Sequence, residues 1–229
     1  MENRIILGID NSLDSLNLVL AEGNRVISER LARNRRVPSE MLPIAVIGIL
    51  ADSGYGVQDI TNILVTLGPG SFTGIRVALA FCKGINAALN TPVSGVPTLD
   101  ALSFPLSFME GHYLCPLIDA KKGEVFCSLY CVQQGSIVRL SEYHALKPQN
   151  IPGLIKTPCV CFGTGALLCE EALSGINGVT VIKDRFQAVS GEALLKTGLP
   201  LITGSPSGEV KPIYGRRSEA EIKFNVKLT

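Results

Sequence analysis

Short apolar runs alternate with turns rich in glycine, asparagine and serine, and the runs recur in a fixed order along the chain. Residues 4–10, 16–22 and 25–32 read as three strands, with turn chemistry at residues 11–15 and 22–24, which predicts an antiparallel meander. Residues 39–53 read as a helix, with Ser39 at its N-cap, Pro43 near its first turn and Gly54 as its stop. A strand over 62–67, a helix over 72–90, a strand over 91–96 and a helix over 98–108 complete the first half. The plan then restarts. Strands over 113–119, 124–132 and 137–144 lead to a short helix over 149–156 and a strand over 159–162. A helix over 166–173, a strand over 179–182 and a helix over 191–199 follow. Each half runs strand-strand-strand-helix-strand-helix-strand-helix, and the first strand of each ends in the same dipeptide, Ile9-Asp10 and Ile118-Asp119.

A duplicated unit of this kind predicts an α/β protein of the actin-like, ribonuclease-H-like class. Two subdomains are expected, each with a mixed five-stranded-type sheet flanked by helices. The expected boundaries are 1–108 for the N-terminal subdomain, 109–203 for the C-terminal subdomain and 204–229 for a tail.

Composition narrows the functional classes. With 229 residues, 46% hydrophobic and 18% charged, the chain has enough core to fold without disulfides and unusually few surface charges. A net charge of +1 cannot supply the field that independent nucleic-acid binding needs, so any such contact is expected to be indirect. No secretory n-region opens the sequence. Residues 41–51 are too short for a spanning helix of about 18 residues and carry Pro43, so a cytoplasmic protein without membrane contact is expected. The seven cysteines form no Cys-x-x-Cys pair and join no histidine at zinc-ligand spacing, so buried thiols in a reducing compartment are expected. Cys127 and Cys131 share one face of the strand expected over 124–132, which leaves a redox role open.

Two glycine turns are candidate chemistry. Gly68-Pro-Gly-Ser-Phe-Thr-Gly-Ile-Arg76 joins a strand to a helix, where the free amides around Gly68, Gly70, Ser71 and Thr73 are placed to cradle an anion. Its G-x-G-x-x-x-G spacing is one residue longer than the dinucleotide fingerprint, and no Gly-Lys-Ser/Thr of a P-loop is present. The structural alternative is a tight turn with Gly70 at positive φ and Gly74 allowing close helix-sheet approach. In a kinase of actin-like fold, Asp10 organises the metal and Gly163-Thr-Gly165 faces the nucleotide from the other half. Here the turn Asp10-Asn-Ser-Leu-Asp lacks the glycine and threonine pattern that wraps phosphates, and no separate base carboxylate stands out. Asp10 and Asp119 alternatively cap turns. His112 and His144 sit at the ends of separate strands, too few and too far apart for a metalloprotease-like enzyme.

Met41-Leu-Pro-Ile-Ala-Val-Ile-Gly-Ile-Leu-Ala51 carries no charge on any face, and a helix apolar all round needs cover all round. The helix over 72–90 keeps Arg76 and Lys83 on a narrow stripe beside many small residues. Two such helices predict a protein interface, for which Met41, Leu42, Ala45, Val46, Ile49, Ile75, Leu79 and Cys82 are the candidates. Burial of six large side chains at about 1.5–3 kcal/mol each exceeds the lower range of the association cost of about 4–15 kcal/mol. Cover by another element of the same chain is the competing reading.

Several stretches resemble the TsaB (YeaZ) family in order and spacing. These are Ile9-Asp-Asn-Ser12, Leu67-Gly-Pro-Gly-Ser-Phe-Thr-Gly-Ile-Arg-Val77, Gly95-Val-Pro-Thr-Leu99, Ile118-Asp-Ala-Lys-Lys-Gly-Glu-Val-Phe126, Gly163-Thr-Gly165 and Pro212-Ile-Tyr-Gly-Arg-Arg-Ser-Glu-Ala-Glu221. The resemblance covers essentially the whole chain. It implies an actin-like fold without the His-x-x-x-His pair of the catalytic paralogue TsaD, and therefore no catalytic residue, metal site or intrinsic cofactor. It implies a scaffold for transfer of threonylcarbamoyl to the adenosine beside the anticodon of tRNA. The implied partners are a TsaD-like paralogue, a TsaE-like ATPase through the complex, and a second copy of the chain as a homodimer, with tRNA only indirect. Whether ATP or ADP binds at the complex interface stays open, as does the role of Arg216-Arg217. The family's His-Ser-Glu before the first helix is absent from Val37-Pro-Ser-Glu-Met-Leu-Pro43.

Overall fold

The computed structural model describes residues 4–32, 40–203 and 210–215. Ser39, the missing-histidine position near Pro38 and Arg216-Arg217 lie outside the described residues.

Strands β1 (Ile5–Asp10), β2 (Leu16–Glu22) and β3 (Arg25–Ala32) form the expected meander, and β4 (Asn62–Thr66) and β5 (Val93–Val96) extend it to the order β3-β2-β1-β4-β5. β1 pairs antiparallel with β2 and parallel with β4. The second sheet repeats that pattern: β6 (Tyr113–Lys121) is antiparallel to β7 (Glu124–Cys127) and parallel to β11 (Cys159–Phe162). β10 (His144–Leu146) and β12 (Val179–Ile182) close the order β10-β7-β6-β11-β12. A hairpin of β8 (Tyr130–Gln133) and β9 (Ser136–Arg139) adds to β6, so this sheet has seven strands rather than the expected five.

The single strand expected over 124–132 is two. At the break the Ser128 hydroxyl donates to the Ser141 carbonyl at 2.8 Å, and the Leu129 N–H donates to the Ser141 hydroxyl at 2.9 Å. Side-chain bonds there replace ladder bonds, so Cys127 and Cys131 fall on separate strands, β7 and β8.

Three buried layers hold the molecule together. Helices α1 (Met41–Asp52) and α2 (Phe72–Leu89) cover the outer face of the first sheet, burying Leu42, Val46, Ile49, Ile75 and Leu79 against Leu7, Ile9, Leu18 and Ile63. Between the sheets a central core joins Ile6 and Leu64 to Ile118, Phe126 and Phe162. Helices α3 (Thr98–Ser103) and α5 (Gly191–Thr203) lie in that layer. Although α5 falls late in the sequence, it packs across β1–β5 of the first sheet, where Gly198 lets the Leu64 side chain approach. Among the described residues the outer face of the second sheet is covered by 3-10 turns at Pro148–Gly153 and Leu167–Cys169 and by the one-turn α4 (Glu170–Leu173).

α2 has 18 residues and a mean hydropathy of 1.3, long and apolar enough by length and composition to cross a membrane. That differs from the expectation, because alanine, phenylalanine and cysteine raise hydropathy without forming a continuous greasy run. One face, Ile75, Ala78, Leu79, Cys82 and Ile85, is buried against the protein's own sheet.

Candidate functional site

The stretches that carry the family resemblance meet at one junction. The turn after β4 begins with a cis Gly68–Pro69 bond, and positive φ belongs to Gly68 (98°) rather than to Gly70. Gly70 and Gly74 are glycine for another reason: a Cβ on either would lie on the carbonyl oxygens of Ser12 and Asn11. The Ser71 N–H donates to the Ser12 carbonyl at 2.7 Å, the Ser71 hydroxyl accepts from Gly74 N–H at 3.3 Å, and the Asn11 amide donates to the Gly74 carbonyl at 3.1 Å. The Ser71 and Gly74 amides are thus bonded to the chain itself, and Thr73 is exposed. The segment 210–215 closes the junction. Ile213 N–H donates to the Leu67 carbonyl at 2.8 Å, the Tyr214 ring lies 5.0 Å from that of Phe72, and Gly215 presses against Phe126 of the second half.

Asp10 is fully buried. Its Oδ1 accepts from Ser12 N–H at 3.0 Å, the Ser12 hydroxyl at 2.5 Å and the Thr66 hydroxyl at 2.8 Å, while Oδ2 has no partner among the described residues. Burial pushes its carboxyl pKa up, against the opposing pull of the Ser12 and Thr66 bonds. Asp119 makes the same turn-capping bond, accepting from Lys121 N–H at 2.7 Å, but stays partly exposed beside the Lys121 ammonium at 3.0 Å. Lys121 also reaches Asp14 at 3.7 Å, which ties the two halves. In the second glycine turn, Gly163 has φ 103°, Gly165 N–H donates to the Leu117 carbonyl at 2.8 Å, and the Thr164 hydroxyl accepts from Asp119 N–H at 3.0 Å. The first glycine turn therefore bonds to the β1–β2 connection and the second to β6.

Of the eight interface candidates, six are corrected by burial. Leu42, Val46, Ile49, Ile75, Leu79 and Cys82 are at most 5% exposed, because they occupy the sheet-facing side of α1 and α2. Ala45 is half-buried and Met41 is exposed. The outward face of α1 instead carries Ile44 (61% exposed) and Ile47 (59%), and Phe72 and Leu89, at the two ends of α2, are also exposed. A separate open apolar groove of about 490 Å³ lies along α2 and the turn at Val57–Asp59, lined by Val57, Phe81, Gly84, Ala88 and Leu89. Ile44 and Ile47 could have been found from the spacing: 42, 46, 49 and 50 form one helical face, so 44 and 47 lie on the other. Among the described residues no group of three or more His, Cys, Asp and Glu is arranged to hold a metal ion.

Two mixed sheets of matching strand order, packed face to face around shared helices, define the duplicated actin-like fold. A family model described as TsaD, tRNA N6-adenosine threonylcarbamoyltransferase, matches residues 30–166. The chain belongs to this family, and the curated proteins it resembles include those named TsaB. The tRNA threonylcarbamoyladenosine biosynthesis protein TsaB of Bacillus subtilis is 32% identical over 130 residues, 57% of this chain and 56% of that protein. Its Escherichia coli counterpart is 30% identical over 148 residues, 64% of each. The matches thus span somewhat over half the length of these curated relatives. The solved structure of YeaZ from Pseudomonas aeruginosa superimposes with a TM-score of 0.76 at 23% identity, covering 92% of this chain and 99% of that one, which establishes the fold.

Proposed function

We propose that this chain is a non-catalytic subunit of tRNA threonylcarbamoyladenosine synthesis that activates a TsaD-like catalytic paralogue by docking it on the outward face of α1 and α2. The observation that carries the reading is the exposure of Ile44 and Ile47 on a helix whose one charged residue, Asp52, sits at its end beside Arg30. Two large apolar side chains at more than half exposure on α1, together with an open apolar groove along α2, favour a protein partner. The relatives' names supply the pathway, and the burial of Asp10 supports a role without phosphoryl transfer. A TsaE-like ATPase joins through the complex, a second copy competes for the same face, tRNA is contacted through the partner, and any ATP or ADP sits at the subunit interface.

Reconstitution tests this. Threonylcarbamoylation of tRNA is expected only when the chain is mixed with TsaD-like and TsaE-like proteins, and Ile44→Glu/Ile47→Glu should reduce it at least a hundredfold while circular dichroism stays unchanged. Full activity of that double variant, or modification by the chain unaided, contradicts the proposal.

A further inference from the structure

The two sheets match strand for strand except at one place. In the order β3-β2-β1-β4-β5 the chain passes directly from β2 to β3, whereas in β10-β7-β6-β11-β12 the β8–β9 hairpin is inserted between β7 and β10. The insertion starts at the Ser128 break, and the Leu140 N–H closes its base by donating to the Leu129 carbonyl at 2.7 Å.

Base and tip are both held by carboxylates of the segment that carries the chain from β5 to β6. At the base, the Tyr130 hydroxyl donates to Asp100 Oδ1 at 2.7 Å, and the Tyr143 hydroxyl donates to the same oxygen at 2.8 Å. Tyr130 is 1% exposed within the central core, and the Arg139 guanidinium lies 4.2 Å over the Tyr143 ring. Burial pushes the pKa of both phenols up and the Asp100 charge adds to it, so both stay protonated and donate. At the tip, Glu110 accepts from Gln134 N–H at 2.9 Å and from Gly135 N–H at 3.1 Å. Asp100 is itself tied to the first half: it sits on α3, whose first residue, Thr98, donates its N–H to the Gly68 carbonyl at 2.8 Å.

These bonds do something the core between the sheets does not. Apolar burial holds the halves together, but it is non-directional and leaves the angle of one sheet over the other loosely set. Hydrogen bonds to a carboxylate are directional and about twice as strong as neutral ones. Two phenols converging on one oxygen fix the base of the hairpin, and the paired amides on Glu110 fix a second point at its tip.

We propose that the inserted β8–β9 hairpin is a brace that sets the orientation of the two halves, holding the segment between β5 and β6 through Asp100 at its base and Glu110 at its tip. The brace lies away from the outward face of α1 and α2 and does not depend on the docking proposal.

Pulsed electron-spin distance measurements test it on the full chain, diluted with unlabelled chain so that only distances within one molecule are read. Nitroxides go on Lys83→Cys in the first half and Lys156→Cys in the second, both exposed, while the seven native thiols are buried and stay unlabelled. The otherwise wild-type chain should give one narrow distance distribution, and Tyr130→Phe/Tyr143→Phe/Glu110→Ala should widen it at least twofold. Ile49→Ala, which loosens the outer layer of the first half alone, should leave the width unchanged. If the triple variant fails to fold, Tyr143→Phe/Glu110→Ala, at a half-buried and an exposed position, takes its place with the same expectation. An unchanged width in the folded variant, or equal widening by Ile49→Ala, overturns the brace.

Discussion

The outer faces of the two sheets solve the same problem in opposite ways. On the first, α1 and α2 bury one side against the sheet and leave Ile44 and Ile47 uncovered. On the second, short turns and a one-turn helix close over a core dominated by thiols. Long helices give a broad rigid platform, since a sheet can cover only one side of each; short helices give a thin lid with little surface to offer. Duplication thus produced one face suited to a partner and one that is self-contained. The strand-end aspartates have diverged in parallel. Asp10 is buried with one oxygen unpartnered, whereas Asp119 remains half-open and paired with Lys121.

Substitutions along α1 should break this comparison most sharply. Ile49→Ala, on the sheet side, should cost about 2–5 kcal/mol of stability in urea unfolding, whereas Ile47→Ala should stay within about 0.5 kcal/mol. Equal costs would mean that α1 has no free face. Gly70→Ala should follow at about 1–3 kcal/mol, because its methyl group meets the Ser12 carbonyl, a backbone atom that cannot swing away.

A smaller effect distinguishes the two aspartates through pH. Burial raises the folded-state pKa of Asp10 above its unfolded value, so its stabilising contribution is complete below the unfolded pKa and is lost as pH rises through the folded one. Asp10→Asn should therefore remove a loss of stability on going from pH 4 to pH 7 in paired urea melts. An unchanged pH slope would show that the Ser12 and Thr66 bonds outweigh burial. Smallest of all, Gly84→Ala meets nothing within 4 Å and should stabilise α2 by up to about 1 kcal/mol while narrowing the groove and weakening partner binding.

Much of this was legible in the sequence, for identifiable reasons. The boundaries of β2, β3, β11 and β12 match the apolar runs, because glycine and polar turns punctuate them. The break at Ser128 was hidden, since Glu-Val-Phe-Cys-Ser-Leu-Tyr-Cys-Val reads as one run and its cause, Ser141, lies 13 residues away. The sheet that α5 joins was hidden as well: an apolar stripe tells that a helix packs, not where. At the glycine turns the residue types were readable but not their use, because the carbonyls of Asn11 and Ser12 that demand glycine lie about sixty residues upstream. On α1 the absence of charge announced a covered helix but marked no side of it, so the sheet-facing residues were taken for the partner-facing ones.

Sedimentation velocity of the chain with its TsaD-like paralogue most directly tests whether the outward face of α1 and α2 is a docking surface. The wild type should co-sediment as a stable complex and Ile44→Glu/Ile47→Glu should sediment as a separate folded species. Co-sedimentation of the variant, or separate boundaries for the wild type at micromolar concentration, would contradict it.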